Sequence, residues 1–129
     1  MRSVLLVDDD QQSREVLSIM LAHVGFDVVL AASGQDALHL AEKQPDLILL
    51  DLHLPSLDGF EVCRRLRALP STRHIPICAM TALYPGSAEK HEILDAGADA
   101  FLRKPIDPAE LRATLRALLT TSTSARRIA

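Results

Sequence analysis

Three carboxylate positions and one lysine in this chain each follow directly on a short apolar run. Asp8 and Asp9 come after Val4-Leu5-Leu6-Val7, Asp51 after Leu47-Ile48-Leu49-Leu50, and Lys104 after Ala100-Phe101-Leu102-Arg103. A fourth run, Pro76 to Met80, ends in Thr81. If the runs are parallel strands of one sheet, their carboxyl ends meet at one edge. That edge then holds carboxylates, a hydroxyl and an ammonium together. Carboxylates so close repel each other and cannot all stay ionised without a cation. The set calls for a divalent metal, and for a second anion that Thr81 and Lys104 could grip.

Each residue has its own range of chemistry. Adjacent acids at a strand end, Asp8 and Asp9, suit Mg²⁺, which takes one or two carboxylates, several waters and a phosphate oxygen. The competing role for Asp9 or Asp10 is to face the N-terminal dipole of a following helix, and Asp10 is left to capping or solvent. Asp51 could be a nucleophile, a metal ligand or a capping group. As a nucleophile it could attack phosphorus and form an acyl phosphate. Thr81 could donate to a phosphoryl oxygen, or simply cap a loop. Lys104 could pair with Asp51 and then with a phosphate. It precedes Pro105, and a cis bond there would lock the loop and aim the ammonium inward.

The elements that must position these residues alternate in type. Val4–Val7 reads as a strand covered on both faces. Ser13 to Val24 carries apolar residues at helical spacing and stops at Gly25. A second strand follows at Phe26–Ala31, then a helix opened by Ser33-Gly34 and ended near Gln44 by Pro45. The third strand is Asp46–Leu50, and its helix opens at Asp58-Gly59. The fourth strand is Ile75–Met80, with a helix from Gly86 to Gly97. Ala100–Arg103 is the fifth strand. Asp107-Pro108 starts the last helix, with Asp as N-cap and Pro at the first helical position. Its apolar stripe ends near Leu119, and Thr120 to Ala129 shows no periodicity. The expected fold is α/β, a doubly wound parallel sheet with helices on both faces. Residues 1–119 form one domain, and 120–129 a flexible tail or the start of a linker. In such sheets ligands bind beyond the carboxyl ends of the strands.

Composition narrows the function classes. The 129 residues suit one domain, and the hydrophobic fraction of 48% with only 3% aromatics implies an aliphatic core. A formal net charge of −3 is not that of an autonomous nucleic-acid binder. No apolar run approaches the roughly 20 residues that span a bilayer, and the short run after Met1-Arg2-Ser3 does not suit a secretory signal. Cys63 and Cys78 lie inside apolar patterns without metal-ligand spacing, as buried thiols of a cytoplasmic protein do.

These residues, in this order, closely resemble the receiver domain of two-component response regulators. The resemblance is carried by Val4 to Asp10, Asp46 to Pro55, Asp58-Gly59, Pro76 to Ala82, Ala96 to Phe101 and Lys104-Pro105, and it runs from about Ser3 to Leu119. It implies the flavodoxin-like (βα)5 fold with strand order 2-1-3-4-5, for which a receiver protein is a worked example of the strand-order rule. It implies Asp51 as phosphoacceptor and Asp8 and Asp9 as the acidic pair for Mg²⁺, with Asp9 the direct ligand. The backbone carbonyl of His53 is implied as a further ligand. Thr81 and Lys104 match the hydroxyl and ammonium that hold the phosphoryl group, and Phe101 the aromatic switch residue. Implied partners are a histidine kinase or His-containing phosphotransfer protein, for whose docking the exposed candidates are Gln11, Gln12, Ser13 and Arg14, each equally an ordinary solvated helix-start residue, and a downstream protein target or fused effector. A phosphorylation-dependent dimer through the face of the fourth and fifth helices belongs to the same set of implications.

The function expected is a phosphorylation-controlled switch acting through protein–protein contact. It is not an enzyme beyond its own phosphorylation and dephosphorylation. One alternative is a pseudo-receiver that binds constitutively, against which the complete set of Asp8, Asp9, Asp51, Thr81 and Lys104 argues. Another is a small Mg²⁺-dependent aspartyl phosphohydrolase, which needs a cap or general acid that Leu52-His53 does not supply. The side chain of His53 faces either the site or solvent, and Leu83 stands where it could shield an acyl phosphate. His53→Ala or Leu83→Ala is then expected to alter the phosphoryl lifetime.

Overall fold

The computed structural model describes residues 2–82 and 87–128, with side chains placed through residue 120 except at 87 and 88. Five strands and five helices alternate. They are β1 (Ser3–Val7), α1 (Gln11–Val24), β2 (Asp27–Ala31), α2 (Gly34–Ala41), β3 (Leu47–Asp51), α3 (Gly59–Ala68), β4 (Ile77–Thr81), α4 (Ser87–Asp95), β5 (Ala100–Arg103) and α5 (Pro108–Ile128). The sheet order is β2-β1-β3-β4-β5, and every pairing is parallel. This is the expected flavodoxin-like order. No described helix is long and apolar enough to cross a membrane.

The three central strands, β1, β3 and β4, are almost wholly buried because both of their faces are covered. Alternate residues of a strand point to opposite faces. Leu5, Val7, Ile48, Leu50, Ile77 and Ala79 therefore pack on one side with Ala37, Ala41, Val62, Leu66 and Ile93 from α2, α3 and α4. Val4, Leu6, Leu47, Leu49, Cys78 and Met80 pack on the other with Leu17, Leu21, Leu111 and Leu115 from α1 and α5. Burial worth about 25 cal/mol per Å² of apolar surface on two faces fixes the register. A slip of one residue would exchange the two sets.

The starts of α1, α2, α3 and α5 are set by side-chain caps. Asp10 accepts from the backbone N–H of Ser13, Ser33 from that of Asp36, Asp58 from that of Phe60 and Asp107 from that of Glu110. Such caps satisfy donors that the first helical turn leaves unpaired. At the other end of α1, Gly25 sits at φ 101° and its N–H reaches back to Ala22 O, a left-handed turn that glycine adopts without strain.

Two expectations change. The first helix begins at Gln11, not Ser13, because Asp10 is its cap. The last helix does not end near Leu119 but runs through Ile128. Once a helix is nucleated, each added residue contributes one hydrogen bond, and this continues it past the apolar stripe. Leu83 and Gly86 lie outside the described residues.

Candidate functional site

The sheet delivers the predicted residues to one edge. Asp51 is the last residue of β3 and Thr81 the last of β4. Pairing continues beyond them, with Leu52 N–H donating to Met80 O at 3.0 Å and Lys104 N–H to Thr81 O at 2.7 Å. Asp8 follows β1, and its N–H is tied to Ala31 O of β2 at 3.1 Å. Backbone ladders thus fix the origin of every side chain at the edge. The α3 helix closes against the same place. Gly59 N–H donates to Leu52 O at 3.1 Å, and a Cβ on Gly59 would run into Asp51 O and Leu52 Cα. Only a residue without a side chain fits there.

Lys104 Nζ sits between two buried carboxylates. It donates to Asp8 Oδ2 at 2.8 Å and to Asp51 Oδ2 at 3.0 Å. Asp8 is fully buried and Asp51 5% exposed. Asp8 also accepts from Ser13 Oγ at 2.6 Å and from Asp10 N–H at 3.0 Å. Asp51 Oδ1 accepts from His53 N–H at 2.9 Å. Thr81 is buried, and its hydroxyl lies 3.2 Å from His53 Nε2. The His53 side chain therefore reaches the site, although the residue is exposed. The Lys104–Pro105 peptide bond is cis.

Burial is the largest influence on each charged group. It pushes the Asp8 carboxyl up, but the bonds from Lys104, Ser13 and the Asp10 N–H outweigh it, and Asp8 lies below its ordinary value. At Asp51 burial prevails over the His53 N–H and Lys104, and the carboxyl is raised. Burial pulls Lys104 down, but hydrogen bonds and charge from Asp8 and Asp51 hold it above its ordinary value. One carboxylate is thus firmly ionised, and its neighbour is the more basic of the two.

Asp8, Asp9 and Asp51 each bring an oxygen within 4.8 Å of the others, Asp9 from an exposed position. Three hard oxygen donors open to water on one side suit Mg²⁺, which keeps several of its waters. The donor set fits the metal expected from the sequence.

Ser13 and Arg14 differ from their expected place among exposed helix-start residues. Both are half-buried. Ser13 holds Asp8, and Arg14 Nη1 donates to the Asp8 carbonyl at 2.8 Å. The signal for Ser13 was its position three residues after a capping Asp, which turns it back toward the strand end. Gln11 and Gln12 are exposed as expected. Phe101 is half-buried and packs on the α2–α4 side of the sheet. It lies opposite Ala79, two residues before Thr81 along β4.

Residues 4–116 match the family model for the response regulator receiver domain. The chain belongs to this family. Among relatives of this receiver domain, the DNA-binding dual master transcriptional regulator RpaA of Synechocystis is 45% identical over 92% of the chain and 49% of RpaA. The response regulator PleD of Caulobacter vibrioides is 42% identical over 89% of the chain and 25% of PleD. The chain therefore spans about half of RpaA's length and a quarter of PleD's. Among solved structures, the receiver domain of sensor histidine kinase PA1611 from Pseudomonas aeruginosa, described with a magnesium ion in its active site cleft, is 37% identical. Its TM-score is 0.84, over 92% of this chain and 98% of that one. The chemotaxis protein CheY4 of Vibrio cholerae matches with a TM-score of 0.85 at 34% identity, over 92% of this chain and 98% of that one. The receiver domain is a signalling module, and the pseudo-receiver and phosphohydrolase alternatives are not favoured.

Proposed function

We propose that this receiver domain takes a phosphoryl group from a phosphohistidine onto Asp51, and that the acyl phosphate changes the surface it presents to a partner. The observation that carries the reading is Lys104 Nζ placed between Asp8 and Asp51, at 2.8 and 3.0 Å, beside the Thr81 strand end. A carboxylate oxygen of Asp51 attacks phosphorus, and a P–O bond forms as the P–N bond breaks. The electron pair leaves with the donor's imidazole, which departs neutral when its other nitrogen carries a proton. Burial raises the Asp51 carboxyl, and a more basic carboxylate is the better nucleophile. The His53 N–H and Lys104 hold it in place for attack. Lys104 then follows the new negative charge outward while keeping Asp8. The Thr81 hydroxyl supplies a donor to another phosphoryl oxygen.

Phosphoryl transfer depends mainly on such positioning and charge stabilisation. Mg²⁺ held by Asp8, Asp9, Asp51 and the His53 carbonyl would neutralise charge on the transferring oxygens. Asp9, being exposed, is the residue to meet it directly. The magnesium named for the PA1611 receiver domain supports Mg²⁺ as the metal.

The donor is a histidine kinase or a His-containing phosphotransfer protein, and the output is a downstream protein or a fused effector. Movement of Thr81 toward the phosphoryl group opens space behind it, and Phe101 on the neighbouring strand is placed to respond. Residues through Leu119 make up the switch itself, and the helical extension beyond is the start of a connector. The net charge of −3 argues against nucleic acid as the direct partner of this segment. Incubation with Mg²⁺ and acetyl phosphate, read by intact mass, is expected to give a single adduct that Asp51→Asn lacks. An adduct that persists in Asp51→Asn would overturn the assignment.

A further inference from the structure

His53 is tied to two residues of the site at once. Its backbone N–H donates to Asp51 Oδ1, and its ring Nε2 lies 3.2 Å from Thr81 Oγ1. The ring belongs to an exposed residue, whereas Thr81 is 3% exposed. An exposed ring has open water available for its polar nitrogens, so its contact with a buried hydroxyl is a specific alignment and not a packing necessity. The backbone of Thr81 is held on both sides, since Lys104 N–H donates to Thr81 O and Leu52 N–H to the preceding carbonyl. Its hydroxyl can be re-aimed only through χ1 or through a shift of the strand end. Threonine is β-branched and has few χ1 choices.

We propose that His53 is a positioning residue that holds the Thr81 hydroxyl in the unphosphorylated protein and competes for it with a phosphoryl group on Asp51. This rests on the reading of Asp51 as phosphoacceptor. The tautomer decides the form of the competition but not its existence. With Nε2 unprotonated, the ring accepts the hydroxyl proton that a phosphoryl oxygen would otherwise receive. With Nε2 protonated, the ring pins the hydroxyl oxygen on the His53 side. In both forms the contact favours the resting position of Thr81. A neutral hydrogen bond of ordinary net strength sets the effect at about 2- to 10-fold in affinity for the phosphorylated state. His53 is thereby a built-in threshold on activation, encoded two residues after the phosphoacceptor.

The test uses beryllofluoride with Mg²⁺ as a stand-in for the phosphoryl group, titrated against the whole chain and followed by amide chemical shifts. His53→Ala is expected to bind it about 2- to 10-fold more tightly than the wild type. His53→Gln, whose amide can reach the place of Nε2, stays near the wild type. In a Thr81→Ala background, removing His53 changes affinity by less than about 2-fold. Without Mg²⁺ or beryllofluoride, Thr81→Ala is expected to shift the His53 Nε2 resonance. Weaker or unchanged binding by His53→Ala, or an equal gain with and without Thr81, overturns the latch alone. If no variant and not even the wild type forms a Mg²⁺-dependent adduct while the spectra show an intact fold, both the latch and the phosphoacceptor reading fall.

Discussion

Replacing Lys104 by Met keeps the length of the side chain and removes its charge. The wild-type ammonium stands 2.8 Å from Asp8 and 3.0 Å from Asp51. Each carboxylate keeps other partners in the variant, namely Ser13 Oγ and the Asp10 N–H for Asp8 and the His53 N–H for Asp51. What is lost is the only cation among the described residues that bonds to both, leaving two like charges facing each other out of water. Removing one partner from a fully buried pair costs about 3–5 kcal/mol. The Lys104 side chain is 22% exposed, so water reaches part of the gap and the expected loss is about 2–3 kcal/mol. For a domain of this size that is a fall in Tm of roughly 8–12 °C.

The loss should depend on conditions in a defined way. Asp51 is already raised in the wild type, and without Lys104 both carboxyls move up. A carboxyl whose pKa is higher in the folded than in the unfolded chain binds its proton more tightly when folded. Stability is then gained as pH falls through the folded value. The deficit of Lys104→Met should therefore shrink between pH 7.5 and 5.5. Mg²⁺ should stabilise the variant more than the wild type, since ligand binding to the folded state adds to stability and here also replaces the missing positive charge. Urea unfolding in chelator and in Mg²⁺, at both pH values, measures all of this. A variant within about 0.5 kcal/mol of the wild type in chelator at pH 7.5, with no response to pH, would refute the view that Lys104 neutralises a strained carboxylate pair.

Other perturbations follow from the same geometry. Gly59→Ala would drive a methyl group into the backbone of Asp51 and Leu52; it should cost about 1–3 kcal/mol in a thermal melt and slow phosphorylation by acetyl phosphate. Ser13→Ala removes a 2.6 Å bond to buried Asp8; it should cost about 1–3 kcal/mol and raise the Asp8 pKa in a carboxyl ¹³C titration. Burial pushes the Cys63 thiol up to about 11 and the Cys78 thiol up to about 12, so neither should react with a thiol reagent in the folded protein at pH 8. Because the unfolded thiols ionise near pH 8.5, the stability they contribute is whole below that value. It should be lost as pH rises toward 11, and Cys63→Ser should flatten that loss in alkaline urea melts.

The site residues were legible because a parallel sheet converts a sequence position, the end of an apolar run, into a place in space. Asp8, Asp51, Thr81 and Lys104 needed no knowledge of side-chain orientation to be gathered at one edge. The strand order was not legible from periodicity, which is the same for every doubly wound arrangement, and came from family resemblance. Orientation was the harder matter. Starting α1 at Ser13 placed Ser13 and Arg14 outward. With Asp10 as cap, they fall in the first turn and face the strand end. Long-range polar contacts left no local trace at all. Arg67 donates to Gly97 O, Arg73 O, Ile75 O and Asp99 Oδ2, joining the end of α3 to the starts of β4 and β5. In sequence it is one more charge on an amphipathic helix.

Lys104 and His53 reach the candidate site by different routes. Lys104 holds both carboxylates and is set by the fold, because its place just after β5 brings the ammonium between two buried anions. His53 is set by the loop that follows β3, and nothing in the sheet requires an imidazole there. Its backbone N–H would hold Asp51 Oδ1 whatever the side chain. The ring is what meets Thr81. A side chain at that loop position can therefore alter how readily Thr81 moves without disturbing strands, core or carboxylates. On the proposed latch, the cost of activation is adjustable at one exposed residue, while the carboxylates of Asp8 and Asp51 stay buried.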